Sequence, residues 1–413
     1  MKDSPVNSLL TALIQFDKSS NTAVYIQIAQ QIINAIQRGY LSAGTALPGT
    51  RTFKELFQIH RNTAVAVYDE LASQGWVEII ANKGTFILDP KPKKTALKAQ
   101  SNKIGDVHHY PKHTGFPFET SFLLSSTNEY SEAKYSLNDG QPDLRLHPVY
   151  EFSKWYSASM KRKSLISKWN PNSKSKNSAF ENQLCNYLNA SRGFHVQPQN
   201  VISTRSTELS LYIISQLVIR KKEIVLVGQL SNHNANMIFQ EAGATIITIP
   251  MDENGLDIDY IEKHFTKGKI RCVYICSNRD YPTTYSLSAE RRIKLMELAK
   301  AYQFAIIEDD YDYDFHYANR PVLPLASANT HGRVIYIGSF TKLIAPTFRV
   351  GYVVANPETI EELGKIRRII DRQGDTMLEA CLADLLEDGT LRRHVTKALK
   401  EYRQRRDFTC ELF

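Results

Sequence analysis

The sequence predicts an α/β chain in two parts, an N-terminal winged helix-turn-helix and a larger domain on a mostly parallel sheet. Three observations carry that expectation. At 413 residues, 42% of them hydrophobic, the chain is long enough for two domains with sizeable cores. Between residues 24 and 88, helical apolar spacing gives way to a short hairpin signal. From residue 200 onward, strand-like apolar runs alternate with helical runs, the pattern of strands joined by crossover helices.

Val24, Ile28, Ile32, Ala35 and Ile36 predict an amphipathic first helix ending at Gly39. Gly44 and Pro48 punctuate the next stretch. Thr50 reads as the N-cap of a short helix over Arg51 to Gln58, with Glu55 in its early turns. Ile59 and His60 make a turn. A third helix is predicted from Arg61 to Gln74, with Val65, Tyr68, Leu71 and Ala72 inward and Gly75 ending it. Val77 to Ala81 and Thr85 to Leu88 read as strands joined at Asn82-Lys83-Gly84. Residues 90 to 130, rich in Pro, Lys, Ser, Thr and Asn, read as a linker.

In the second part, predicted strands are Val201 to Ser203, Glu223 to Val227, Thr245 to Ile249, Ile270 to Ile275, Phe304 to Ile307 and Arg333 to Ile337. Helical runs such as Ser231 to Ala242, Asp257 to Phe265 and Ala289 to Tyr302 lie between them. Lys342 falls on a tight connection between Arg333–Ile337 and another β-rich run, Val350 to Ala355. A Lys held near apolar surface loses its charge more easily, and a neutral amine is what Schiff-base chemistry with an aldehyde needs. Alone, such a Lys is far more often a surface residue. The run Glu308-Asp309-Asp310-Tyr311-Asp312 adds acids at the carboxyl end of a strand, where open α/β sheets bind ligands. A carboxylate there holds a pyridinium nitrogen protonated. A Tyr two residues on donates to a ring hydroxyl, and Ser339 and Arg349 take a phosphate. The plainer reading of the acids is a solvated turn.

Acid, Tyr, Ser, Lys and Arg in this order resemble the fold-type I, pyridoxal-phosphate-dependent aminotransferases. Glu308 to Asp312, Ser339-x-x-Lys342 and Arg349 resemble the MocR branch, in which this module is fused to a GntR-type DNA-binding domain. The N-terminal pattern resembles the GntR family: Tyr25-x-Gln27-Ile28, Gly39, Leu47-Pro48-x-x-Arg51, Arg61-Asn62-Thr63, Tyr68, Leu71, Gly75-Trp76 and Gly84-Thr85-Phe86. The entry Gly140-Gln141-Pro142-Asp143-Leu144 with Pro148 also resembles MocR proteins. The likeness covers roughly residues 24 to 410.

The resemblance implies three segments: a winged helix-turn-helix over 15–90, a basic linker over 91–133 and an aminotransferase-like domain over 134–413. Carried over residue by residue, it implies DNA phosphate contacts at Thr50 and Arg51. Arg61, Asn62 and Thr63 would start the recognition helix, and Lys83 and Gly84 would form the wing tip. It implies cofactor contacts at Lys342, Asp309, Tyr311, Ser339 and Arg349. It also implies a head-to-tail homodimer.

Several positions depart from the family. His60 stands where a Ser usually caps the recognition helix. Arg205-Ser206-Thr207 replaces the small residues that cradle phosphate at a helix start. Gln229-Leu230-Ser231-Asn232 replaces Asp-Pro-Gly-Tyr, whose Tyr stacks on the pyridine ring, with His233 next in line. Arg279-Asp280-Tyr281-Pro282-Thr283-Thr284 lacks the Gly of the family's loop. The chain ends 71 residues past Lys342, so the C-terminal small domain is expected to be incomplete and no substrate-carboxylate Arg is assigned.

Net charge +8 and a pI near 9.0 suit an anionic partner. Residues 1–90 carry seven basic and seven acidic side chains, so the excess lies elsewhere. Residues 91–113 carry six Lys (91, 93, 94, 98, 103, 112) against Asp106, a balance of +5. Those Lys either add sequence-independent attraction to DNA or keep a linker soluble and extended. Met1 to Ser20 is unlike a signal peptide, and with no run of about 18 apolar residues no membrane span is expected. Five scattered Cys form no zinc pattern and read as buried thiols in a reducing cytoplasm. The expected function is a cytoplasmic transcription regulator that binds a double-stranded operator. Its aminotransferase-like domain senses a small molecule, pyridoxal phosphate or an amine or amino acid joined to it. The alternatives are a working aminotransferase and a cofactor-free regulator with a degenerate site.

Overall fold

The structure, a computed structural model, describes residues 4–81, 83–88, 113–118, 120–121, 142–146, 149–161, 178–317, 322–345, 348–371 and 374–413. Most of the predicted linker 91–133, including its Lys, lies outside these residues, as do Asn82, Gly140, Gln141, Pro148, Pro346 and Thr347. The chain divides into two compact units, Met1–Phe118 and Glu119–Phe413.

The first unit opens with α1 (Pro5–Leu13), a helix not among the predicted elements. Its Leu10, with Ile14 just beyond it, is buried in the unit's core. α2 (Val24–Gln37) buries Ile28, Ile32, Ala35 and Ile36 as its spacing predicts. β1 (Ala46–Leu47), α3 (Thr50–Phe57) and α4 (Arg61–Ser73) come next. The cap of α3 is Gly49, so Thr50 is its first helical residue rather than the predicted N-cap. On α4 the inward residues are Ala64, Val67, Tyr68 and Leu71, with Ala72 partly buried; of the predicted inward residues only Val65 is exposed. His60 caps α4 with no side-chain hydrogen bond, as expected of a poor capping residue. β2 (Val77–Ile80) and β3 (Gly84–Ile87) form the hairpin, and β1 pairs with β3 to make a three-stranded wing.

The second unit contains α5 (Val149–Met160), α6 (Ser178–Arg192), β4 (Val201–Thr204), α7 (Thr207–Val218), β5 (Ile224–Gly228), α8 (His233–Glu241) and β6 (Thr245–Ile249). A hairpin of two-residue strands, β7 (Met251–Asp252) and β8 (Gly255–Leu256), leads to α9 (Ile258–His264) and β9 (Ile270–Ile275). Then come α10 (Ala289–Tyr302), β10 (Ala305–Asp310), β11 (Val334–Ser339), β12 (Gly351–Val354), α11 (Pro357–Ile370), α12 (Thr376–Glu387) and α13 (Thr390–Leu412). A seven-stranded sheet runs β4-β12-β11-β10-β9-β5-β6, with β12 antiparallel to both neighbours and the other pairings parallel.

Helices cover both faces. Ile307, Ile335, Ile337 and Val353 pack with Leu211 and Ile214 of α7, Phe239 of α8 and Leu363 of α11. On the other face Ile306 and Val334 pack with Leu295 of α10. Tyr336, Tyr352 and Val354 pack there with Phe180 and Leu184 of α6 and Leu382 of α12. A sheet buried on both faces explains why its strands read as continuous apolar runs. Among the described residues no helix is long and apolar enough to cross a membrane. Cys185, Cys272, Cys276 and Cys381 are buried as expected, but Cys410, near the end of α13, is exposed.

Gly338 fixes the join of β11 and β12. It lies opposite Tyr352 in the pairing, and a Cβ there would sit 2.3 Å from that ring. Tyr352 is fully buried, so neither partner has room to give. Gly338→Ala is therefore expected to destabilise the larger unit by on the order of 2 kcal/mol. Denaturant unfolding checks this, and wild-type stability would show that Tyr352 yields.

Candidate functional site

β10 ends in three acids that the structure buries: Glu308, Asp309 and Asp310. The strand continues to Asp310, three residues past its predicted end, so these are sheet residues and not a solvated turn. Alternation sends Asp309 to the opposite face from its two neighbours. Glu308 accepts from the Ser277 hydroxyl and from the backbone N–H groups of Leu325 (2.8 Å) and Ala326 (2.9 Å). Asp310 accepts from the Tyr336 hydroxyl at 2.8 Å, and burial pushes its carboxyl up to about 8. Asp309 accepts from Tyr274 through Oδ2 at 2.8 Å. Its other oxygen, Oδ1, is buried and has no hydrogen-bond partner among the described residues. Burial pushes Asp309 up to about 6, against the pull of Tyr274 and of the nearby Lys342 charge.

Lys342 stands on the connection between β11 and β12, half-buried, with Nζ 4.5 Å from the centroid of the Tyr311 ring. Its charge acts on both Asp309 and Asp312. Tyr281 meets Tyr311 edge-on at 6.5 Å, and Arg279 pairs with Asp312 at 2.5 Å. The Lys342 loop is anchored from behind, where the ring of buried His394 on α13 lies 2.9 Å from the Leu343 carbonyl. Thus the structure brings Lys342, Asp309 and Tyr311 into one site.

Ser339 and Arg349 lie at either end of the same connection. The Ser339 hydroxyl donates to Thr341 Oγ1 at 2.9 Å and accepts from the Thr341 N–H. Arg349 is exposed on its side chain, and its ion-pair partner is Glu208 on the first turn of α7, at 3.9 Å. β12 approaches the start of α7 closely: a Cβ on Gly351 would lie 2.8 Å from Thr204 Oγ1 and 3.2 Å from the Ser206 carbonyl carbon. Ser206 caps α7 by accepting from the Leu209 N–H. Arg205, bulky at this helix start, is turned away and donates from Nε to Asp371 at 2.7 Å. His233 is exposed at the start of α8. Thr284, which stands where the family has Gly, adopts φ +62°, a left-handed conformation that strains a β-branched residue.

In the first unit Arg51, Arg61 and Asn62 are exposed and Thr50 and Thr63 half-buried on the helix-turn-helix surface. Neither Arg51 nor Arg61 forms an ion pair among the described residues. Lys83 and Gly84 are exposed at the hairpin tip, Gly84 with φ +122°. A cleft of about 640 Å³ beside the recognition helix is lined by His60 and Thr63 together with Lys18 and Lys54. Sequence reading did not single out those two Lys: Lys18 precedes α2, and Lys54 lies on α3 but outside the residues that carry the family motif. It also missed Tyr274 and Glu208. Tyr274 becomes Asp309's partner only through the β9–β10 register, which sets Tyr274 beside Ile307.

The raised carboxyls carry a pH signature. A group with a folded value of about 6 against an ordinary 3.8 binds more protons folded than unfolded between those values. Its effect is to lower stability as pH rises through that window. Asp309→Asn, which still accepts from Tyr274, is expected to flatten this part of the profile. The variant should gain on the order of 2 kcal/mol over wild type at pH 7. Melts of the larger unit at pH 4 to 8 check it, and parallel profiles would mean Asp309 is already ionised at no cost.

The comparisons with known proteins agree with this layout. The family model for aminotransferase class I and II matches residues 134–413, and the model for bacterial regulatory proteins of the gntR family matches 24–87. The probable rhizopine catabolism regulatory protein MocR of Rhizobium meliloti is 23% identical over 400 residues, covering 95% of this chain and 78% of that protein. The HTH-type pyridoxine biosynthesis transcriptional regulator PdxR of Corynebacterium glutamicum is 26% identical over 385 residues, covering 93% and 78%. Among solved structures, the Pyrococcus horikoshii kynurenine aminotransferase in complex with PMP superposes with a TM-score of 0.60 at 23% identity, covering 66% of this chain and 68% of that one. The chain belongs to the aminotransferase class I and II family, with a gntR-family domain ahead of it, in the arrangement of the MocR-type regulators.

Proposed function

We propose that this chain is a DNA-binding transcription regulator whose aminotransferase-like domain takes pyridoxal phosphate at Lys342 as its sensed ligand. In this reading residues 15–90 bind DNA, 91–133 connect and 134–413 sense, in a homodimer. The observation that carries it is the open Oδ1 of buried Asp309, in the same site as Lys342 and Tyr311. An unpaired buried acceptor is costly, and a protonated ring nitrogen is the kind of donor that satisfies it. The name of the Corynebacterium relative, a pyridoxine biosynthesis regulator, points the same way.

The residues present fit pyridoxal phosphate at its ring end. Asp309 would hold the proton on the ring nitrogen, Tyr311 would donate to the ring hydroxyl, and Ser339 and Arg349 would take phosphate oxygens. Bound there, the cofactor supplies an aldehyde for an amine and an electron-withdrawing ring. The chain's own part is to present the Lys342 amine on a braced loop and to keep Asp309 dry. In the first unit Thr50 and Arg51 would hold DNA phosphate. Arg61, Asn62 and Thr63 would meet base edges, with Lys83 and Gly84 at the wing tip.

Two measurements test this. Titrating pyridoxal phosphate into the full chain is expected to raise a visible absorption band that Lys342→Ala abolishes; identical spectra would remove Lys342 from the site. Steady conversion of an amino donor and a keto acid would instead favour the aminotransferase reading. Arg61→Ala is expected to cost about 1–3 kcal/mol of operator affinity at fixed salt. An unchanged titration would take Arg61 out of the base-reading set.

A further inference from the structure

We propose that Glu208 is the specificity-determining residue of this site, setting a low preference for a phosphorylated over an unphosphorylated ligand. The inference rests on the reading of Arg349 and the start of α7 as the phosphate end. Three observations carry it. Glu208 lies in the first turn of α7, where backbone N–H groups and the helix dipole favour a negative charge. Its carboxylate is already the negative charge there, 3.9 Å from Arg349, whose only ion-pair partner among the described residues it is. The contact of Gly351 with Ser206 fixes β12 and the helix start against each other, so the backbones that carry Arg349 and Glu208 stay adjacent.

A phosphate dianion drawn to Arg349 in this corner meets the like charge of Glu208 beside it. Glu208 also bears on Asp309, whose carboxyl its charge helps to raise. The ring end, built from Asp309, Tyr274 and Lys342, recognises the ring and aldehyde whether or not a phosphate is attached. The chain therefore draws less of its affinity from the phosphate than a site whose helix start is free of carboxylate. The Glu208 side chain is exposed, so Gln at this position leaves the packing intact.

The test compares pyridoxal phosphate, pyridoxal and inorganic phosphate on the full chain and on Glu208→Gln, with thermal melts to confirm folding. Absorbance titration is expected to show pyridoxal phosphate binding about tenfold tighter to the variant, a partly screened charge contact removed. Pyridoxal shares only the change that reaches Asp309, so the ratio of the two affinities should move severalfold toward pyridoxal phosphate. Inorganic phosphate should compete more strongly in the variant. Equal changes for the two aldehydes, or no change in either, overturn the role of Glu208. If neither aldehyde gives a Lys342-dependent band in either protein, the pyridoxal phosphate reading falls. Glu208 is then judged on inorganic phosphate by calorimetry: tighter binding to the variant supports it, and equal binding overturns it.

Discussion

Three consecutive carboxylates at the end of β10, all taken out of water, set the terms for the rest of the larger unit. A buried carboxylate without partners costs several kcal/mol, so each must recruit donors or stay protonated. Glu308 recruits the backbone at Leu325 and Ala326 and so pins the segment that leads into β11. Asp310 recruits Tyr336, whose hydroxyl also accepts from Arg192 at 2.9 Å, and Arg192 in turn pairs with Asp314 at 2.7 Å. That relay ties β10 and β11 to the end of α6. Because strand alternation puts both structural acids on one face, the face that holds Asp309 is left to a single acid with an open oxygen.

The fold is legible in the sequence wherever local pattern decides it. The strands of the sheet appear as apolar runs because helices bury both faces, and the helix-turn-helix shows in its spacing and turns. The misreadings have physical causes. α1 escapes notice because it is a short run of nine residues, whose Leu10, with Ile14 just beyond it, is placed by tertiary packing. Val65 reads as inward because helical spacing leaves the stripe uncertain by one residue, and neighbours decide which side is buried. β10 reads as ending at Ile307 because acids usually leave a sheet; here three stay in it, held by partners that come from elsewhere in the chain.

The site is legible in its members and not in its pairings. Lys342, Asp309 and Tyr311 stand out by order along the chain, and the structure brings them together. Yet Tyr274 on Asp309, Arg205 on Asp371 and Glu208 beside Arg349 join residues 35, 166 and 141 positions apart. Such contacts are set by sheet register and helix placement, which single-sequence patterns do not encode. The bulk of Arg205 at the helix start suggests an obstructed phosphate corner, but Asp371 holds that side chain aside. The obstacle that the corner does contain is a charge, one residue beyond the replaced triplet.

The departures from the family pattern spare three residues of the site. Arg205 is held by Asp371, His233 is exposed and Thr284 is strained, while Asp309 keeps its dry oxygen and Lys342 its braced loop. A ligand shifts a conformational equilibrium only by the difference in its affinity for the two states, and a site saturated under all conditions reports nothing. Keeping Lys342, Asp309 and Tyr311 preserves the groups that meet the aldehyde, the ring nitrogen and the ring hydroxyl. Loosening the remaining contacts lowers how tightly the ligand is held, and so moves the response into a range where occupancy varies. A catalyst gains from the opposite arrangement, since holding every substituent of a reacting ring in register is a large share of its rate. Erosion of the groups that stack on the ring and hold the phosphate, with Lys342 and Asp309 kept, is thus what a regulator built on this fold would be free to accumulate.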